Sequence, residues 1–554
     1  MKIAYLGGAC VTLPLLLMSA CGGGNDPVVS GSNQAPVSGG NSPGNGPVSP
    51  VTSVQRACEL PSFASLTLNG ATVTSAAEVA ANSYQPAGSR NPIANLSAFC
   101  LVKGQARPTS ASLINFEMWV PKEGWNGKLV ATGNGGYSPA LSYADMAYAM
   151  RQGYAVLGGD TGHQSVDPNE MFWGVDNPEK IKDWGSRSIN AITEPAKLAL
   201  AWMQGKPASR AYYYGCSTGG HQGYAEVQRY PADFDGVIAG APGNNRVALN
   251  AEFLWRYQAV RATNTNNLVL TSAKAGLIGR SAIAACDALD GVTDGVIADP
   301  RSCTSSVFNV ESLQCTGADN PACLTADQVT AAKKIYQGPR NARTGEQIYP
   351  GLVPGTENGW PGYWGGTAPV RSDFWALWSF DNPAWNWWSF DWDRDLTFTQ
   401  AKLSPLVDQL STDLSAFRAR GGKLITYQGW SDPVVNPIDT IAYYDKVKAA
   451  QGSQASTDAF FRLFMTPGMG HCSGGAGPSV FGNSGQQAPN PSASTDLLMA
   501  LDRWVEEGTA PDRIVAATVA NGAVTATRPL CAHPRQARYN GSGATNDAAQ
   551  YTCQ

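Results

Sequence analysis

The stretch "RAYYYGCSTGGHQGYAEVQRYPADFDGVIAGAP", residues 210–242, sets an apolar run before a glycine-flanked serine, then a helix candidate, then a second apolar run. Strand, sharp turn, helix and strand in that order specify a parallel α/β unit. Within it, Gly215-Cys216-Ser217-Thr218-Gly219 fits the Gly-x-Ser-x-Gly nucleophile elbow, a strained turn that holds a serine hydroxyl above the sheet edge. In a chain with 60 glycines the pentapeptide alone is a weak signal, and the strand and helix on either side make it specific. A helix starting at this point also aims the Thr218 backbone N–H at a developing oxyanion.

A serine hydroxyl is a poor nucleophile at neutral pH and needs a base, normally a histidine oriented by a carboxylate. In this arrangement the chain order is serine, acid, histidine. The sequence holds only four histidines. His163 precedes the serine. His221 lies four residues after it on the same helix, where its ring cannot turn back to the hydroxyl, and reads as a helix-surface or packing residue. His533, close to Cys531, reads as structural. His471, in "TPGMGHCSGG" just after an apolar run, is the expected base. Asp432, in "LITYQGWSDPVVNP", is the expected acid, weighed against the plainer reading of Asp-Pro as a turn former. Asp439 is the alternative.

Cys472 directly follows the expected base, as Cys216 directly precedes the expected nucleophile. If Ser217 and His471 are within hydrogen-bond reach, their neighbouring cysteines come within disulfide range, so a Cys216–Cys472 bridge is expected. Setting Cys10 and Cys21 aside, the others are Cys58, Cys100, Cys286, Cys303, Cys315, Cys323, Cys531 and Cys553. Their even number, without a Cys-x-x-Cys pair, points to disulfides and an oxidising compartment rather than to zinc or redox chemistry. Short separations favour Cys286/Cys303, Cys315/Cys323 and Cys531/Cys553; the rest of the connectivity is open.

Sheet-like rhythm starts near Leu113 with "LINFEMWVP", "GKLVATGNGG" and "GYAVLGGDTGH". It breaks off after the elbow unit and resumes at "GGKLITYQGWSDPVV" and "FRLFMTPGMGHC". A sheet interrupted and resumed implies an inserted domain. The insert carries four cysteines and, from Trp360 to Trp392, eight of the chain's 16 tryptophans. Most of those rings read as core for the insert, and a few as a stacking surface facing the serine. Arg371, in the same stretch, is either a solvated arginine or a partner for a substrate carboxylate. The expected organisation is a signal peptide at 1–20, a flexible linker at 21–55, core at 56–244, a disulfide-rich lid at 245–405 and core again at 406–554.

The N-terminal "MKIAYLGGACVTLPLLLMSAC" has one lysine, a short apolar run and small residues before Cys21, which reads as an export signal too short to span a membrane. Met18-Ser19-Ala20-Cys21 resembles a lipoprotein signal box, so Cys21 is a candidate lipid anchor, and the Gly/Pro/Ser-rich residues that follow would form a tether. The expected location is periplasmic, outer-membrane-anchored or extracellular. A net charge of −4 without a Lys/Arg run gives no footprint for nucleic acid, leaving a small molecule as the partner.

Three aspartates, Asp287, Asp290 and Asp294, fall in "CDALDGVTDGVIADPRSC" among glycines. Hard oxygen donors on a short loop suit calcium, although the spacing departs from an EF-hand. No histidine and glutamate cluster of the metalloprotease kind is present, which argues against metal-activated water.

Together, "GCSTGG", "RYPADFDGVIAGAP", "CDALDGVTDGVIADPRSC", "SDP" and "GMGHC" closely resemble the tannase and feruloyl esterase family, from about Cys58 to the C-terminus. The resemblance implies an α/β-hydrolase core with an inserted lid, secretion, and cleavage of aromatic-acid esters, including galloyl esters and plastic-derived terephthalate monoesters. It implies Ser217, Asp432 and His471 as the triad and Cys216–Cys472 as the characteristic bridge. It further implies the Gly136 N–H in "TGNGGY" as the second oxyanion donor beside Thr218, and the carbonyls of Val292 and Val296 as calcium ligands. Gln428 departs from the family, where a histidine is expected. A reading from another class is a tethered surface-binding lipoprotein on a disused hydrolase fold.

Overall fold

The computed structural model describes residues 55–165 and 169–554. The leader, Cys21 and all of the linker except Gln55 lie outside the described residues. Nine strands make one mixed sheet: β1 (Ala71–Val79), β2 (Phe99–Ala106), β3 (Ile114–Pro121), β4 (Lys128–Thr132), β5 (Ala155–Gly159), β6 (Arg210–Cys216), β7 (Gly236–Gly240), β8 (Lys423–Gly429) and β9 (Phe461–Thr466). Their spatial order is β1-β2-β3-β5-β4-β6-β7-β8-β9. The first four positions in that order pair antiparallel, and the run from β5 to β9 is parallel.

The parallel strands are buried on both faces. β5 and β7 are buried at every residue, and β6 at all but its ends. Such strands read as unbroken apolar runs, because helices cover both sides of a parallel sheet. One covering layer includes the helices Ser188–Gln204 and Thr218–Arg229; the other includes Tyr143–Arg151 and Leu497–Glu507. β1 is a partly exposed edge strand, and its polar, weakly alternating residues hide it from a pattern search.

β7 and β8 are parallel neighbours, yet the chain from Ala241 to Gly422 runs between them. This insertion has its own apolar cluster, in which Ala275, Ile278 and Ala282 of the helix Ser272–Cys286 pack with Leu324, Ile335 and Trp360. A second cluster joins Trp375 and Trp378 of the insertion to Tyr137, Trp173 and Trp184 of the core. Burying rings this large is the main force holding the insertion down over the sheet's C-terminal edge.

Among the described residues five disulfides are present: Cys58–Cys100, Cys216–Cys472, Cys286–Cys303, Cys315–Cys323 and Cys531–Cys553. Among the described residues no helix is long and apolar enough to cross a membrane.

Candidate active site

Ser217 sits between the end of β6 and the helix Thr218–Arg229, with φ at +64°. The turn closes so tightly that a Cβ on Gly215 would lie 2.8 Å from the backbone of Gly219. A serine at a helix N-cap usually bends its hydroxyl back onto the first turn. Ser217 makes no such cap; its Oγ lies 2.8 Å from His471 Nε2 instead.

His471 follows β9, and its Nδ1 lies 2.8 Å from Asp432 Oδ2. An ionised carboxylate only accepts, so Nδ1 carries the proton and Nε2 is left to receive the one on Ser217. Asp432 is fully buried. Its Oδ1 accepts the N–H groups of Val434 at 2.7 Å and Val435 at 3.0 Å, and its Oδ2 also accepts the Gln428 amide at 3.0 Å. Gln428 is held in turn by the Thr440 hydroxyl, which donates to its side-chain oxygen. The alternative acid, Asp439, lies on the helix Pro437–Gln451 and accepts from Asn245, with no bond to His471.

The other histidines are built into the packing. His163 stacks on Trp173 with ring centroids 3.8 Å apart and bonds the Tyr137 carbonyl. His221 is fully buried, with Nε2 2.7 Å from the Val407 carbonyl, and burial first and Arg246 second hold it well below its ordinary pKa. His533 is pushed down to about 4, chiefly by burial.

Thr218 is the first residue of its helix, so its N–H is one of those the helix leaves unbonded. Its hydroxyl donates to the Gly136 carbonyl at 2.8 Å, which ties the elbow to the "TGNGGY" loop; the Trp184 indole donates to the same carbonyl. Arg246, absent from the sequence reading, stands behind this pair, 2% exposed, with Nη2 3.3 Å from the Thr218 hydroxyl. Burial lowers its pKa to about 10, which still leaves it cationic at neutral pH and favours a negative oxygen in front of Thr218.

The cavity over Ser217 is lined by Tyr363 and Arg371 of the insertion, by Val434, and by the polar Ser142, Asp145 and Ser484. No tryptophan of the 360–392 stretch lines it, because Trp360, Trp364, Trp375 and Trp378 are spent on packing. Arg371 stands over the rings of Tyr137 and Phe253, and its Nε is buried without a hydrogen-bond partner. Ser142, Asp145 and Ser484 carry no motif of their own, and only the fold shows that they meet.

The loop expected to hold calcium closes on itself. Asp287 accepts the N–H groups of Asp294, Gly295 and Val296, while Arg528 donates to Asp290 at 2.5 Å and to Asp294 at 2.9 Å. Three carboxylates against one buried arginine leave two negative charges, and a dication on hard oxygens would balance them. The donor set therefore fits calcium in charge and chemistry. The carboxylates do not converge within 4.8 Å in this arrangement, and the cluster that does among the described residues, Cys315, Asp319 and Cys323, contains a disulfide.

An elbow serine at the end of a parallel strand, with a histidine and a buried aspartate from later loops bonded in sequence to it, defines a serine hydrolase of the α/β-hydrolase fold. Residues 100–554 match the family model described as tannase and feruloyl esterase, and the chain belongs to that family. It is 37% identical over 525 residues to an uncharacterized esterase of Xanthomonas campestris pv. campestris, covering 88% of this chain and 90% of the relative. It is 33% identical over 500 residues to feruloyl esterase C of Talaromyces stipitatus, covering 89% and 91%. The crystal structure of feruloyl esterase B from Aspergillus oryzae superposes with a TM-score of 0.83 at 30% identity, over 90% of this chain and 99% of that one. The protein is a carboxylic ester hydrolase, and its five disulfides mark it as exported.

Proposed function

We propose that the enzyme cleaves esters of aromatic acids through an acyl intermediate on Ser217, with feruloyl and other hydroxycinnamoyl esters as its first substrates. The observation that carries this reading is the unbroken chain of bonds from Asp432 through His471 to Ser217, opening into a cavity lined in part by Tyr363 and Val434. Ser217 Oγ attacks the ester carbonyl as His471 takes its proton. The Thr218 and Gly136 N–H groups hold the oxyanion, His471 returns the proton to the departing alcohol, and water releases the acid by the same steps.

Arg371 favours a second acyl class. A cationic side chain lining the cavity suits an acyl group that carries its own carboxylate, such as a terephthalate monoester. Galloyl esters are the third class that the family implies. Measuring kcat/KM for methyl ferulate, chlorogenate, methyl gallate and mono(2-hydroxyethyl) terephthalate separates them. The expected order puts the hydroxycinnamates first; at least tenfold preference for the terephthalate monoester would move the assignment to the second class.

Asp287, Asp290 and Asp294, with the carbonyls of Val292 and Val296, are proposed to hold a structural calcium ion, supplying rigidity to the insertion and no step of the reaction. The Met18–Cys21 box further supports lipidation at Cys21, which would place the enzyme on an outer membrane.

A further inference from the structure

Asp145 lies in the first turn of the helix Tyr143–Arg151, is 7% exposed, and lines the same cavity as Ser217 and His471. A carboxylate in a first helical turn ordinarily serves the helix through a capping box with the residue at the N-cap. Here that box is not formed. The Ser142 side chain makes no capping bond, and its hydroxyl donates to Asp145 Oδ2 at 2.7 Å. Burial raises Asp145 to about 6 against the lowering effect of the Ser142 hydroxyl, with no cation acting on it. A buried acid without a cation is a cost that packing does not explain. What it faces is the cleft.

The place of Asp145 in the cleft identifies what it meets. Ser484 donates to the carbonyl of Cys472, the residue after His471, at 3.1 Å. The next residue, Gly485, packs so closely on Ala144 that a Cβ there would lie 2.8 Å from it. Asp145, Ser142 and Ser484 therefore continue the wall that begins at His471. Since His471 must reach the leaving oxygen to protonate it, the alcohol half of the ester lies on the His471 side of Ser217, where Ser484 is bonded to the neighbouring Cys472 carbonyl.

We infer that Asp145, braced by Ser142 and accompanied by Ser484, is a specificity-determining residue that accepts a hydrogen bond from a hydroxyl group on the alcohol half of the ester. The inference rests on the aromatic-esterase reading above and adds to it the chemistry of the leaving group: a hydroxylated alcohol, such as a glycol or a sugar, over a plain alkyl one. A site that pairs a buried acceptor with a substrate hydroxyl discriminates against the analogue lacking it, because the acceptor is then left unpaired.

Ethyl ferulate and 2-hydroxyethyl ferulate differ by that one hydroxyl, and the ratio of their kcat/KM values is the test. The wild-type enzyme is expected to favour the hydroxyethyl ester, and Asp145→Asn to lower that ratio about tenfold as a charge-assisted bond becomes a neutral one. Asp145→Ala should lower it at least as far. A wild-type ratio near one, or a ratio that neither variant changes even if both rates fall together, overturns the inference and leaves the esterase reading standing. Failure of the wild-type enzyme to cleave either ester overturns both.

Discussion

Gln428 holds the acid of the site from behind, where a histidine was expected from the family resemblance. Its amide reaches Asp432 Oδ2, the oxygen that also accepts the hydrogen bond of His471 Nδ1–H, and the Thr440 hydroxyl fixes its orientation. Gln428→Leu removes one donor from a fully buried carboxylate and strands the Thr440 hydroxyl. Leaving such a group short of a partner costs about 1–3 kcal/mol. The expected result is a fall in kcat of about tenfold or more with little change in KM, read by steady-state kinetics on methyl ferulate; a KM effect alone would assign Gln428 to substrate binding. At this scale the sequence was legible wherever chemistry restricts the choice of residue. Four histidines, one chain order and one strand-borne Asp-Pro led to His471 and Asp432. Arg246 and Asp145 were not legible, since an arginine or aspartate in a helix carries no signal until the fold shows it buried.

Among the elements, the elbow and the histidine loop are joined by Cys216–Cys472 across a separation of 256 residues. Both loops are conformationally costly. Ser217 and Cys472 have φ at +64° and +66°, and non-glycine residues held there cost about 1–3 kcal/mol each. The bridge offsets this by constraining the unfolded chain, by about 5 kcal/mol in the loop-entropy model. Replacing both cysteines by alanine should lower the free energy of urea unfolding by several kcal/mol, and kcat should fall further than stability alone accounts for at temperatures where the variant stays folded. Retention of full kcat would show that packing alone positions the histidine. The strands that carry the site could be read in advance because they are buried on both faces. β1 and β2 escaped notice: the first is an exposed edge, and neither lies in the parallel repeat. The hairpin Arg513–Ala520 with Ala523–Cys531 was missed because its second strand begins with three exposed residues and carries no clean alternation.

Across the whole molecule, a sheet split by a long insertion depends on how firmly that insertion is anchored. The tryptophan stretch was read correctly as packing in its larger part, but the rings do not line the cleft; Tyr363 and Arg371 do. Which side of a ring faces the serine is decided by tertiary packing and leaves no trace in composition. The insertion is also tied to the C-terminal hairpin where Arg528 meets Asp290 and Asp294. With calcium present at a thousandfold excess over its Kd, binding adds about 4 kcal/mol to stability. Thermal unfolding should therefore shift downward on adding EGTA, and Asp290→Asn with Asp294→Asn should abolish the difference; identical curves with and without chelator would rule the ion out. The account as a whole depends on Ser217 being the group that carries the acyl chain. The most direct test is to treat the intact enzyme with a fluorophosphonate and map the adduct by mass spectrometry. One covalent adduct on Ser217, matched by loss of ester hydrolysis and missing from Ser217→Ala, is the predicted result, whereas hydrolysis that survives labelling or an adduct on another residue would contradict it.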